Sequence, residues 1–88
     1  MDWKAYSFVV RGRIRRLVLL ALDSPKIPAQ IAREMGINST HVSRALKEME
    51  EKSLVRCLLP KADKGKVYKL TREGKEVAEQ LRKAEKKE

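Results

Sequence analysis

The sequence predicts a mainly α-helical (α+β) fold that carries one small β-hairpin, in the order helix, helix, helix, strand, strand, helix. Apolar residues recur at helical spacing in three segments before residue 52 and in one near the end of the chain. Two short runs, LVRCLL (54–59) and KVYKL (66–70), flank a turn-rich segment and are typical of a hairpin. With 88 residues and 42% hydrophobic content, the chain has room for one modest core, so we expect a single domain over residues 1–88.

The first predicted helix runs from near Trp3 to Leu22. Its apolar residues lie on several sides, and such a helix is buried on several sides, which indicates a central position or a partner subunit. Gly12 is expected only to weaken the helix locally, by about 1 kcal/mol relative to alanine. Turn-forming residues 23–26 end the helix, and Ile27, which precedes a proline, can form a short strand.

The second and third helices are predicted to form a helix-turn-helix. Pro28 suits the first position of the second helix, and Asn38 suits the N-cap of the third. Between them, Ala32 is small where the helices cross, Gly36 can take a positive φ at the turn, and Val42 fills the angle. The third helix, about residues 39–52, then buries an apolar face made of Val42, Ala45, Leu46 and Met49.

The outward face of the third helix carries the candidate site, which consists of Ser39, Thr40, His41, Ser43, Arg44 and Lys47. Arg44 and Lys47 lie one turn apart, and an arginine can bridge O6 and N7 of guanine in the major groove of DNA. The hydroxyls suit phosphates or base edges. Three alternatives stay open: the two cations pair with Glu48 or Glu51, the first hydroxyls serve the helix N-terminus, and His41 is a bystander.

The predicted hairpin, about residues 54–70, has a basic tip. Lys61, Lys64 and Lys66 are expected to meet a nucleic-acid backbone, where charge is useful without sequence reading; a solvated loop is the alternative. Cys57 and Tyr68 are interpreted as packed strand residues in preference to a redox sensor and a stacking platform. The last helix, about residues 72–86, follows Thr71 as its cap.

The charge balance favours a polyanionic partner. Lys and Arg number 21 against 12 Asp and Glu, a formal net charge of +9, and nucleic acid is the simplest polyanion; a basic surface kept for solubility is the alternative. Four arginines of the first helix either solvate it, pair with acids or contact DNA: Arg11, Arg13, Arg15 and Arg16.

Several functional classes are not expected. One cysteine and one histidine do not support a disulfide, a metal site or another cofactor, and no nucleophile–base pair or carboxylate dyad indicates an enzyme. The N-terminal sequence MDWKAYS does not resemble a signal peptide, and the apolar run at residues 17–22 is too short to cross a bilayer. We therefore expect a soluble, cytoplasmic, nucleoid-associated protein.

Three short motifs carry a resemblance to a known family: VSRAL at 42–46, YKLT at 68–71, and Gly74. Over about residues 12–80 the sequence resembles winged helix-turn-helix regulators of the ArsR and MarR types from bacteria and archaea. The resemblance implies that the third helix is the recognition helix and that the hairpin is the wing. Ser53 stands where the family usually has glycine, no Cys/His cluster supports metal sensing, and the chain is shorter than a full MarR-type protein.

The sequence as a whole indicates a sequence-specific binder of double-stranded DNA that regulates transcription as a homodimer. The dimer is expected to use the first helix, with the last helix as a second candidate. Two alternatives remain: a winged-helix module that binds protein within a larger assembly, and a sequence-neutral DNA-packing protein.

Overall fold

The computed structural model describes residues 2–58 and 66–85, and all structural statements concern these ranges. They form five helices and a two-stranded antiparallel sheet: α1 (Trp3–Val10), α2 (Arg13–Ala21), α3 (Pro28–Met35), α4 (Ser39–Glu51), β1 (Val55–Cys57), β2 (Tyr68–Leu70) and α5 (Arg72–Glu85). The predicted combination of helices with one small hairpin is confirmed, with one helix more than expected.

The prediction of one continuous first helix is wrong, because the chain breaks between α1 and α2. Gly12 is extended, with φ −116° and ψ 115°, and serves as the N-cap of α2. The break lets apolar side chains from different sides of the segment reach one core: Val9, Val18 and Leu19 are all fully buried. Any residue can adopt this extended backbone, but a Cβ at position 12 would lie 2.9 Å from the Cδ of Arg15. Gly12 therefore marks an element boundary, where only a local weakening was expected.

Two arginines of α2 hold the end of α1. The last carbonyls of a helix lack partners within the helix. Arg15 donates to the carbonyl of Phe8 at 2.6 Å, and Arg16 donates to the carbonyl of Val10. The guanidinium of Arg15 also lies over the Phe8 ring, 4.0 Å from its centroid. These contacts stabilise the bend between α1 and α2.

The helix-turn-helix forms as predicted from α3 and α4. Gly36 ends α3 in the left-handed region at φ 65°, and the Asn38 side chain accepts a hydrogen bond from the Thr40 amide at 2.8 Å. Ala32 and Val42 are buried at the crossing of the two helices. The turn therefore fixes the direction in which α4 leaves the core.

The hairpin pairs Val55 with Leu70 and Cys57 with Tyr68. A third segment joins it at one residue: the Lys26 amide donates to the Tyr68 carbonyl at 3.0 Å, and the Tyr68 amide donates back at 2.9 Å. The extended segment anticipated near Ile27 is thus a single bridge one residue earlier. The predicted turn-rich loop of the hairpin, residues 60–65, lies outside the described residues.

The end of α4 is clamped to the start of α5. Ser53, which replaces the glycine usual in the family that the sequence resembles, adopts a positive φ of 61°. The Thr71 hydroxyl donates to the Ser53 carbonyl at 2.6 Å and accepts from the Gly74 amide at 3.1 Å, so Thr71 caps α5 as predicted. A Cβ at Gly74 would collide with the Leu54 carbonyl oxygen, which explains why this position holds glycine.

Candidate nucleic-acid interface

Helix α4 has one buried and one exposed face. Its apolar face packs against α2 and α3, with Val42, Leu46 and Met49 fully buried and Ala45 nearly so. The opposite side carries all six predicted site residues of this helix, and each is exposed: Ser39, Thr40, His41, Ser43, Arg44 and Lys47. The structure therefore brings these residues together on one accessible surface.

The two cations on this surface have no acidic partner within residues 2–58 and 66–85. Neither Arg44 nor Lys47 forms an ion pair there, although Glu48 lies on the same helix. The Glu48 carboxylate is instead bound by Arg15 of α2, with Nε and Oε1 3.3 Å apart. Both cationic side chains thus remain available to a ligand.

The hydroxyls at the start of α4 are not used to cap it. Asn38 performs that function by accepting from the Thr40 amide. In the part of the chain that the structure describes, the side chains of Ser39, Thr40 and Ser43 form no hydrogen bond with protein. The start of the helix therefore presents hydroxyls without a protein partner beside the two cations.

The hairpin contributes one described site residue. Lys66 is exposed at the entrance to β2, whereas Lys61 and Lys64 lie outside the described residues. Tyr68 packs against the core as predicted, and burial raises the pKa of its phenol. Cys57 is half-buried on the paired strand.

A further cation lies beside α4 and comes from α2. Arg13 is exposed and lines an open groove together with His41 and Arg44. Sequence reasoning left the role of this arginine undecided, because a continuous first helix does not show where its side chain lies. The signal that could have found it is the break at Gly12, which places Arg13 in the first turn of α2.

A buried lysine connects the base of the hairpin to the helix-turn-helix. Lys26 is only 8% exposed, and its ammonium lies 2.6 Å from Glu34 of α3 and 3.0 Å from Asp23. The hydrogen bond with Glu34 raises the pKa of Lys26, and the same contact lowers the pKa of Glu34. Because the Lys26 backbone also pairs with β2, this residue holds the hairpin against α3.

Comparison with known proteins gives matches among solved structures alone. No protein-family model matches the sequence, and no curated protein matches it. Wild-type ZitR of Lactococcus lactis, solved in complex with DNA, is 25% identical; the match covers 84% of this chain and 52% of ZitR, with a TM-score of 0.73. The MarR family transcription regulator SP03579 is 20% identical, with 93% and 56% covered and a TM-score of 0.76. The transcriptional regulator Tm0710 of Thermotoga maritima is 21% identical, with 91% and 58% covered and a TM-score of 0.71.

The fold is a winged helix. Its structural neighbours are MarR-family winged-helix transcription regulators, which confirms the resemblance seen in the sequence at the level of the fold. The chain spans about half the length of the ZitR structures that it matches. In the winged-helix fold, α3 and α4 are the helix-turn-helix and the β1–β2 hairpin is the wing.

Two findings bear on the other classes considered. ZitR is described as a zinc-responsive MarR family member. In residues 2–58 and 66–85 of this winged helix, no three His, Cys, Asp or Glu side chains cluster so that they could hold a metal ion. None of the helices in these ranges is both long and apolar enough to span a membrane.

Proposed function

We propose that this winged helix binds double-stranded DNA in a sequence-specific manner and regulates transcription as a homodimer. The observation that carries the proposal is the exposed face of α4, where Arg44 and Lys47 have no acidic partner in the described chain. Charged groups on a rigid, well-supported helix suit insertion into a major groove, because the groove admits one α-helix and presents acceptors along its floor.

The residues of this face differ in what they can contact. Arg44 and Lys47 reach base edges, where arginine can donate two hydrogen bonds to guanine. The exposed hydroxyls and His41 are suited to phosphates or base edges. The wing holds the flanking backbone through its basic side chains, Lys61, Lys64 and Lys66.

The net charge and the structural similarity to a DNA-bound regulator support the same proposal. The net charge of +9 attracts a polyanion, and this attraction depends on salt because binding releases counterions. ZitR, at 25% identity, was solved with DNA bound, and the match spans 84% of this chain. A transcription regulator is therefore a better candidate than an enzyme for a chain with this fold.

The homodimer is proposed on the surface of α1. The bend at Gly12 lets one chain bury part of the apolar excess of this segment, so that part needs no partner subunit. What remains is aromatic: Trp3 is 60% exposed and stacks edge-to-face on Tyr6, with ring centroids 5.5 Å apart. A symmetric dimer that reads DNA needs its two α4 helices about one DNA turn apart, and α5 is a second candidate for the contact.

Selection of bound sequences from a random duplex pool tests the proposal, with affinities measured at about 50 and about 200 mM salt. We expect enrichment of a palindrome and a steep loss of affinity at the higher salt. A non-palindromic motif would retain sequence reading and contradict the symmetric dimer. Tight binding without enrichment would indicate DNA packing, and no binding at low salt would reject DNA as the ligand.

Light scattering tests the dimer independently. We expect twice the mass of one chain, and we expect Trp3→Lys to return the protein to one chain mass because it places a charge in the apolar contact. An unchanged dimer in this variant would move the interface elsewhere, with α5 as the next surface to test. A wild-type monomer at all concentrations would contradict the proposed assembly.

A further inference from the structure

An open groove runs along one flank of α4, outside the helix-turn-helix itself. Its other wall is the first turn of α2, which exists as a helix start because the chain breaks at Gly12. The groove has a volume of about 260 Å³, and the residues that line it include Gly12, Arg13, Arg15, His41, Arg44 and Glu48. Three of these residues are arginines and one is an acid.

The groove has an excess of positive charge that no described acid neutralises. Its one acidic residue, Glu48, is bound by Arg15 at 3.3 Å, so these two charges compensate each other. Arg13 and Arg44 are exposed, and neither forms an ion pair in residues 2–58 and 66–85. The uncompensated charge of the groove is therefore that of two guanidinium groups.

The position of the groove relates it to the DNA-reading face. His41, Arg44 and Glu48 follow one another along a single flank of α4, since they are three and four residues apart. A helix with its side chains is about 10–12 Å wide and the major groove of DNA is about 12 Å wide. A helix seated in that groove therefore has a phosphate chain along each flank.

We propose that this groove is a phosphate seat, in which Arg13 of α2 binds the DNA backbone beside the recognition helix. The proposal rests on the proposed function, and it adds a contact from an element that belongs to neither the helix-turn-helix nor the wing. Guanidinium suits this ligand because its planar donors match two oxygens of a phosphate. Arg44 borders the seat on the side of the bases, and the bend at Gly12 brings Arg13 to it.

Arg13→Ala and Arg11→Ala form a matched pair that tests the seat. Both arginines are exposed and carry the same charge, but Arg11 lies at the end of α1 and does not line the groove. Binding of the full chain to a random-sequence duplex is measured over a range of salt. For Arg13→Ala we expect the slope of log K against log salt to fall by about 0.9 and the affinity to fall roughly threefold to tenfold. For Arg11→Ala we expect less than about a twofold change.

Two further measurements separate the possible failures. Arg13→Lys should retain the salt slope, because it keeps the charge, and thermal unfolding should show that all three variants fold. Equal behaviour of Arg13→Ala and Arg11→Ala, with the wild type bound to DNA, would overturn the phosphate seat and leave the proposed function standing. Absence of wild-type binding at low salt would reject the proposed function itself, and the seat with it.

Discussion

Two groups of cationic side chains in this winged helix differ in their surroundings. The first group binds acceptors of the protein itself, either carboxylates or helix-terminal carbonyls, and consists of Arg15, Arg16 and Lys26. Arg44 and Lys47 are exposed and have no acidic partner in the described residues. A net charge of +9 counts both groups alike.

The presence of a protein acceptor therefore distinguishes cations with a structural role from cations that are available to a ligand. The first group joins α1 to α2, α2 to α4, and the wing to α3. The second group lies on the outer surface of the helix that these joints support. If this division is correct, substitutions in the first group change stability, whereas substitutions in the second change DNA binding and leave stability alone.

Arg44→Ala should have the largest effect on binding. We expect a loss of about 2 kcal/mol, roughly thirtyfold in Kd, on the preferred duplex, because the arginine that we propose reads the bases is removed. The loss on a random duplex should be much smaller. Fluorescence anisotropy measures both, with Arg82→Ala on α5 as the control; equal losses on the two duplexes would assign Arg44 to the backbone.

Arg15→Met should have the largest effect on stability within the first group. The variant keeps an apolar stem and loses hydrogen bonds to the Phe8 carbonyl and to Glu48, so we expect about 2 kcal/mol of destabilisation. Urea unfolding followed by circular dichroism measures this value. Arg13→Met, two residues away and exposed, should stay within about 0.5 kcal/mol. Equal stability of the two variants would break the proposed division.

Lys66→Ala should weaken binding to all sequences alike. Lys66 is exposed at the base of the wing and is proposed to contact the backbone, so its removal should lower the salt slope by about 0.9 with no change in sequence preference. Titrations of the preferred and the random duplex at several salt concentrations test this outcome. A change in the selected motif would instead assign a reading role to the wing.

The smallest expected effect concerns pH, through the cluster around Lys26. The contact with Lys26 lowers the pKa of Glu34 and of Asp23 below their ordinary values of 4.5 and 3.8. A carboxyl pKa that is lowered in the fold stabilises the protein above the ordinary pKa. This stabilisation is lost as pH falls through the lowered pKa of the folded state. The raised pKa of Lys26 stabilises the fold below 10.5 and is lost at higher pH.

Lys26→Met therefore should lower the Tm between about pH 5 and pH 10, and the difference from the wild type should narrow as pH falls from about 4.5 through the lowered pKa values of Glu34 and Asp23. Thermal unfolding across this range measures the difference, with exposed Lys75→Met as the control. A difference between Lys26→Met and wild type that stays constant down to pH 3 would show that the ion cluster does not stabilise the fold.

Local sequence signals were sufficient to predict the helix-turn-helix. Three positions each meet a distinct physical requirement: a positive φ at Gly36, a side-chain cap at Asn38 and a buried aliphatic side chain at Val42. The bend before Arg13 was missed because a single glycine inside a helical pattern costs little locally. The break is decided instead by tertiary packing, which buries apolar side chains from several sides of this segment in one core.

The candidate site could be predicted as a surface but not as a complete set of residues. The outward face of α4 follows from the 3.6-residue period, which places Thr40, Arg44 and Lys47 opposite the apolar stripe. The groove lined by Arg13 and His41 could not be predicted, because it joins residues that are far apart in the sequence and depends on the bend. Partners of Arg15 and Lys26 were likewise decided by packing.

Amide chemical-shift mapping of the isotope-labelled chain, titrated with the preferred duplex, tests the central claim most directly. The account predicts the largest shift changes in residues 39–47 of α4, with smaller changes at the wing and at Arg13, and little change along α5. Shift changes centred on α1 or α5, with α4 unchanged, would contradict the account.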